Sequence, residues 1–168
     1  MDILENSQNM ESGAGGSWKR YEETTDETIV KQTTGISCVS AVGEMLLKTR
    51  GISVSQEKIR AIIGEPTYIA NLARCLNTFD KDTDDGKEWQ GFTADVECID
   101  AVLSQKPISV ILLEPMSFLG HAVIIENVSE DDFIEIKDPF DQTSYKMTFE
   151  DFKQHWGGEV ILRWFIKE

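Results

Sequence analysis

The hydrophobic pattern of this chain changes period near residue 106, and that change constrains the fold more than any other feature. Ahead of it, apolar residues recur at helical spacing. In the segment beginning at Cys38, the positions Cys38, Ala41, Val42, Met45 and Leu46 form one i, i+3, i+4, i+7, i+8 stripe. Gly51 is a natural stop for this helix, behind Lys48 and Arg50, which suit a helix C-terminus. Ser53 or Ser55 can cap a second helix through Ile62 and Ile63, ended by Gly64 and Pro66. Tyr68 to Phe79 reads as a third helix and Asp95 to Gln105 as a fourth. Short extended segments are expected at Thr28 to Gln32 and around Trp89 to Phe92.

Beyond residue 106 the pattern is that of strands. Pro107 to Leu113 is β-branched and continuously apolar, as a central strand is. Gly120 to Val128 and Asp132 to Lys137 form a hairpin about the Ser129-Glu130-Asp131 turn. Gln142 to Met147 adds a strand, Phe149 to Trp156 a short helix with Thr148 as N-cap, and Glu159 to Phe165 the last strand. Helices first and a mostly antiparallel sheet afterwards define an α+β fold. Its domain is expected over residues 25–168, behind a polar, glycine-containing flexible segment at 1–24.

The chain has 168 residues and a formal net charge of -14. That charge argues against nucleic acid and against anionic membrane surfaces, both of which are bound by lysine and arginine. No apolar run approaches the roughly 20 residues of a membrane helix, and the N-terminus lacks the pattern of a signal peptide. A soluble protein made in a cytoplasm is expected, with secretion or delivery into a target cell left open by routes that need no cleavable signal. Three cysteines, Cys38, Cys75 and Cys98, without close spacing point to neither a disulfide framework nor a zinc site. The loop Asp80 to Lys87 (DKDTDDGK) departs from the calcium-loop pattern and reads as a solvated loop. Neither a metal nor a cofactor is expected.

Four residues carry the candidate chemistry. Cys38 opens a helix, where the positive end of the dipole favours a thiolate nucleophile; it also suits a buried apolar position. Gln32, six residues earlier across a turn containing Gly35, could fold its amide beside the sulfur and, with the Cys38 N–H, form an oxyanion hole. Taken singly, it is also an ordinary surface glutamine. His121, at the start of the GHAVII strand, is a candidate base or a core histidine; the other histidine, His155, lies beside Trp156 and reads as packing. Asp138, in KDPF at the end of the paired strand, could orient His121 or simply initiate an Asp-Pro turn.

A glutamine six residues before a helix-starting cysteine, then a Gly-His strand, then an Asp-Pro at the end of the next strand, resembles the papain-like cysteine peptidases. More narrowly, the chain resembles the bacteriocin-processing domains of ABC exporters, which trim leader peptides after a double glycine. The likeness runs over roughly residues 28–165, through VSQEKIRAIIG, KPISVILL, GHAVIIENVSEDDFIEIKDPF and MTFEDFKQHWGGEVILRW. It implies a papain-like fold, with Cys38 as nucleophile, His121 as base and acid, Asp138 as orienter and Gln32 as oxyanion donor. It also implies a protein or peptide substrate cut after Gly-Gly. The family carries Asp and Gly around its cysteine where this chain has Ser37 and Val39, and a transporter domain is not expected. Such a domain could instead act as a bacterial effector or toxin, with room for an inhibitory or immunity protein as partner. The same triad serves deamidases and acyltransferases, and the fold also occurs as a catalytically inactive binding module. Gly15-Gly16 is a bond of the kind such a peptidase would cut in itself.

Overall fold

A computed structural model describes residues 18–34, 37–64, 69–98, 101, 103, 108–113, 120–129 and 131–167. The first helix, α1, is Cys38–Lys48. It buries Ala41, Val42 and Leu46 completely, the stripe expected from their spacing. Gly43 lets it lie close to its neighbour, because a Cβ there would stand 2.7 Å from Leu72 Cδ1. Helix α2, Gln56–Ile63, starts at Ser55, whose hydroxyl accepts from the Lys58 N–H. It ends at Gly64, which takes φ 78° where a side chain would be strained. Helix α3, Ile69–Phe79, buries Leu72, Ala73 and Leu76.

Seven strands complete the fold: β1 Tyr21–Thr25, β2 Lys87–Thr93, β3 Ile108–Leu113, β4 Gly120–Val128, β5 Phe133–Asp138, β6 Thr143–Thr148 and β7 Trp156–Phe165. A short helix, α4 (Phe149–Gln154), links β6 to β7, and the Thr148 hydroxyl caps it by accepting from the Asp151 N–H. The sheet order is β1-β6-β5-β4-β3-β7-β2, antiparallel throughout. This is the expected α+β architecture, with α1–α3 packed on the sheet.

The sheet separates two cores. Ile111, Ala122, Ile124 and Ile161 face the helices. Val110, Leu112, Val123, Ile125, Ile136 and Tyr145 face a second core closed by Trp18, Leu103 and Phe152. The period of two along β4 thus sends alternate side chains into different cores.

Several local expectations are revised. The stretch Trp18 to Thr24, assigned from its polarity to a flexible leader, enters the fold: Trp18 and Arg20 are buried and Tyr21–Thr25 is a strand. YEETT lacks an apolar alternation because β1 is an edge strand, paired with β6 alone and largely exposed. The extended segment expected at Thr28 to Gln32 begins as a turn, in which Asp26 Oδ1 accepts from the Thr28 N–H. In place of the start of the fourth helix is a 3-10 turn at Val96–Cys98, with Ala101 and Leu103 helical beyond it. Gly15-Gly16 lies outside the described residues.

In the charged loop, Asp80 is buried and accepts from Arg50 Nε and Trp89 Nε1, each at 2.9 Å. Asp85 pairs with Arg163. These two carboxylates therefore fasten the loop to the turn after α1, to β2 and to β7. No group of three acidic, histidine or cysteine side chains among the described residues is arranged to hold a metal, and none of the described helices is long and apolar enough to cross a membrane.

Candidate active site

Three elements end at one place: α1 begins there with Cys38, β4 begins there with Gly120 and His121, and β5 finishes there with Asp138. Cys38 approaches from the helical core and His121 from the second core, so the site lies at the seam between them. The Ala122 N–H, between the two, donates to Cys38 Sγ at 3.4 Å. Sheet register joins His121 to Asp138. Ile124 pairs with Lys137, so one step further brings Asp138 opposite Val123, with His121 two residues away on the same face.

His121 Nε2 is 2.6 Å from Asp138 Oδ1. A carboxylate can only accept, so Nε2 carries a proton towards Asp138, which leaves Nδ1 as the nitrogen that can exchange a proton with Cys38. Nδ1 is buried and makes no hydrogen bond of ordinary geometry among the described residues, although the Cys38 side chain is close enough to act on it. Burial pulls the imidazole pKa down, but the Asp138 charge, its hydrogen bond and then Cys38 outweigh this, lifting it from 6.5 to about 10. Asp138 shows the complementary direction: burial raises its pKa, and His121, Arg20 and Tyr145 more than reverse that, leaving it below the usual carboxylate value.

Asp138 is fully satisfied. Oδ1 also accepts from the Phe140 N–H at 2.9 Å, and Oδ2 accepts from Tyr145 Oη at 2.7 Å. The Phe140 contact is the turn that an Asp-Pro sequence initiates, so the two readings of Asp138 are compatible. Tyr145 is held as a neutral donor, its pKa pushed well above 10 by burial and by the adjacent Asp138 charge. Trp18 stacks on the His121 ring, with centroids 6.1 Å apart, and meets His155 edge-on. His121 carries the pairing with Asp138.

Gln32 lies in the turn that leads into α1. Its N–H donates to the Pro139 carbonyl at 2.9 Å, tying this turn to the one that follows Asp138. Gln56 secures the same turn from α2, accepting from the Thr33 N–H and donating to the Lys31 carbonyl. The Gln32 amide donates to the Thr34 carbonyl at 2.9 Å, and its Oε1 is buried without a hydrogen-bond partner among the described residues. An amide nitrogen carries two hydrogens, so one donor remains beyond the Thr34 contact. Cys38, His121 and Gln32 are 4%, 2% and 7% exposed and Asp138 is fully buried.

The sequence reading did not include Tyr145 and Trp18. Tyr145 pairs with Ile136 across β5–β6, diagonal to Asp138, a relation that hairpin register could have revealed. For Trp18 no local signal exists.

Residues 26–166 match the Peptidase C39 family. The chain is 32% identical over 154 residues to Cysteine protease effector 1 of Escherichia coli O1:K1:H7, an alignment covering 92% of this chain. It spans only 30% of that protein's length. Among solved structures, the fold resembles a double glycine motif protease from an AMS/PCAT transporter in complex with its leader peptide. That likeness has a TM-score of 0.64 at 17% identity, covering 86% of this chain and 92% of that one. It equally resembles the peptidase domain of Streptococcus ComA, with a TM-score of 0.64 at 22% identity, covering 82% and 97% of the two chains.

Proposed function

The chain belongs to the peptidase C39 family of cysteine proteases, and on that premise we propose that Cys38, His121, Asp138 and Gln32 cleave a protein or peptide after a Gly-Gly motif. The observation that carries this reading is the buried His121–Asp138 pair at 2.6 Å, whose ring also interacts with Cys38 at the start of its helix.

In the cycle, His121 Nδ1 takes the Cys38 proton while Nε2 keeps its hydrogen bond to Asp138. The sulfur attacks the carbonyl carbon of the scissile bond. The resulting oxyanion is held by the Cys38 N–H, which the first turn of a helix leaves without an intrahelical acceptor, and by the second Gln32 amide hydrogen. His121 then protonates the departing amine. Water, deprotonated by the same nitrogen, releases the acyl group and restores the thiol. A nucleophile only 4% exposed favours a slim substrate segment, and glycine, without a Cβ, presents the least bulk beside the scissile carbonyl. The name of the Escherichia coli relative supports a role as an effector acting on proteins of a target cell.

The test is proteomic mapping of new N-termini made by the wild type and by Cys38→Ala, followed by synthetic peptides carrying Gly-Gly or Ala-Ala at the mapped site. New N-termini after Gly-Gly that disappear with Cys38→Ala are expected. A change in substrate mass without a new N-terminus would refute peptide-bond cleavage.

A further inference from the structure

We propose that Trp18 and Arg20, which precede the residues matching the family, are positioning residues of the active site that act through Tyr145 on the Asp138–His121 pair. The proposal rests on the assignment of that pair as catalytic.

Trp18 is 2% exposed. Its Nε1 donates to Tyr145 Oη at 2.9 Å, and Oη donates to Asp138 Oδ2 at 2.7 Å. The direction of this line is fixed by chemistry: an indole N–H can only donate and a carboxylate can only accept, so the tyrosine hydrogen points at Asp138. Trp18 also lays its ring over His121, with 26° between the planes. One side chain thus bears on the base directly and on its carboxylate through the tyrosine.

Arg20 approaches the same tyrosine from another side. Its side chain is fully buried, with the guanidinium 4.8 Å from the centre of the Tyr145 ring. Nη1 pairs with Glu23 Oε2 at 2.9 Å and lies 4.0 Å from Asp141 Oδ2. Among the described residues, the ionisable groups that act on Asp138 are His121, Tyr145 and Arg20, with Glu23 and Asp141 beyond the arginine. A buried cation is a costly way to fill space, and a fold-supporting contact alone would be met by an apolar residue. Beside a buried carboxylate, however, the cation and the phenol donor favour the ionised form that His121 requires.

The strand β1 carries no apolar face of its own, yet its N-terminal flank supplies these two buried side chains. A chain trimmed to residues 26–166 would keep the proposed triad and lose this brace.

The test uses the full chain with Trp18→Phe, Tyr145→Phe and Arg20→Gln, and with Arg20→Lys as the charge-conserving control. The readouts are the pH dependence of Cys38 alkylation by iodoacetamide, which needs no substrate, and kcat and KM on a cleaved peptide. Removing the indole N–H, the phenol or the cation lets Asp138 protonate at higher pH. The acid limb of alkylation is expected to move up by about one pH unit, the equivalent of one net hydrogen bond to a charged group. A fall in kcat of about tenfold with KM nearly unchanged should accompany it. Arg20→Lys should restore the limb. Thermal melts identify the folded variants, and Trp18→Phe and Arg20→Lys are conservative enough to retain the core. An unmoved limb in folded Trp18→Phe and Tyr145→Phe, while His121→Ala abolishes fast alkylation, overturns the proposal and leaves the peptidase reading intact. A His121→Ala protein that alkylates like wild type overturns that reading and this proposal with it.

Discussion

Asp138→Asn should invert the pH dependence of stability that His121 confers. With the carboxylate, the His121 pKa stands near 10 against an ordinary 6.5. A group whose folded pKa is raised contributes stability that is complete below its unfolded value and is lost as pH rises through the folded one. Cys38 complicates the proton count, because a proton passed from its sulfur to His121 leaves the total unchanged. The comparison therefore belongs in a Cys38→Ala background. There the contribution of Cys38 to the histidine is gone, while the charge and hydrogen bond of Asp138, the two largest raising causes, remain to oppose burial and are expected to keep the folded pKa raised. Between pH 6.5 and the raised folded pKa the folded state holds up to one more proton than the unfolded state, and stability falls by up to about 1.4 kcal/mol per pH unit.

With Asp138→Asn added, only burial acts on the ring, and burial pushes the histidine pKa below 6.5. That double variant should gain stability as pH rises to 6.5 and then level off. Urea unfolding at intervals from pH 6 to 8 reads both curves, and their difference cancels His155 and the remaining thiols. The advantage of the aspartate over its asparagine replacement should shrink by up to about 1.4 kcal/mol per pH unit. The asparagine also leaves Tyr145 without an acceptor when its amide oxygen faces His121, a constant offset of about 1–3 kcal/mol that does not affect the slope. A difference that stays constant from pH 6 to 8 would refute the claim that Asp138 holds a proton on His121.

Two further outcomes are expected. Gln32→Ala should lower kcat on a cleaved peptide by about 10²–10³-fold with little change in KM, since an oxyanion donor acts in the transition state; steady-state kinetics check this. Asp80→Ala should cost about 2–3 kcal/mol in urea unfolding, because it strands the buried Trp89 indole and the pairing of Arg50, while leaving kcat unchanged. The Asp80 pKa is lowered, its burial being outweighed by Arg50, Trp89 and Arg163, so this wild-type advantage is present above pH 3.8 and vanishes in stronger acid.

Much of this fold is written locally. The α1 stripe, the Ser55 and Thr148 caps, the Gly64 stop and the β4–β5 hairpin each depend on residues a few positions apart, and each was legible from spacing and turn chemistry. The same holds for the candidate residues. Cys38 at a helix start, His121 at a strand start and Asp138 before a proline announce themselves by residue type and position, and the hairpin makes His121 and Asp138 neighbours.

Tertiary structure alone decided the rest. YEETT became a strand because β6 offered an open edge, and nothing in its own pattern required that. Trp18 reads as part of a polar leader until Tyr145, 127 residues away, gives its indole an acceptor. The Gln32 turn is fixed by Pro139 and Gln56, from a sheet turn and a neighbouring helix. Periodicity reports which side of an element is buried, because that depends on the element itself. It cannot report which distant side chain completes a hydrogen bond there, and around Asp138 those distant donors define the electrostatics of the site.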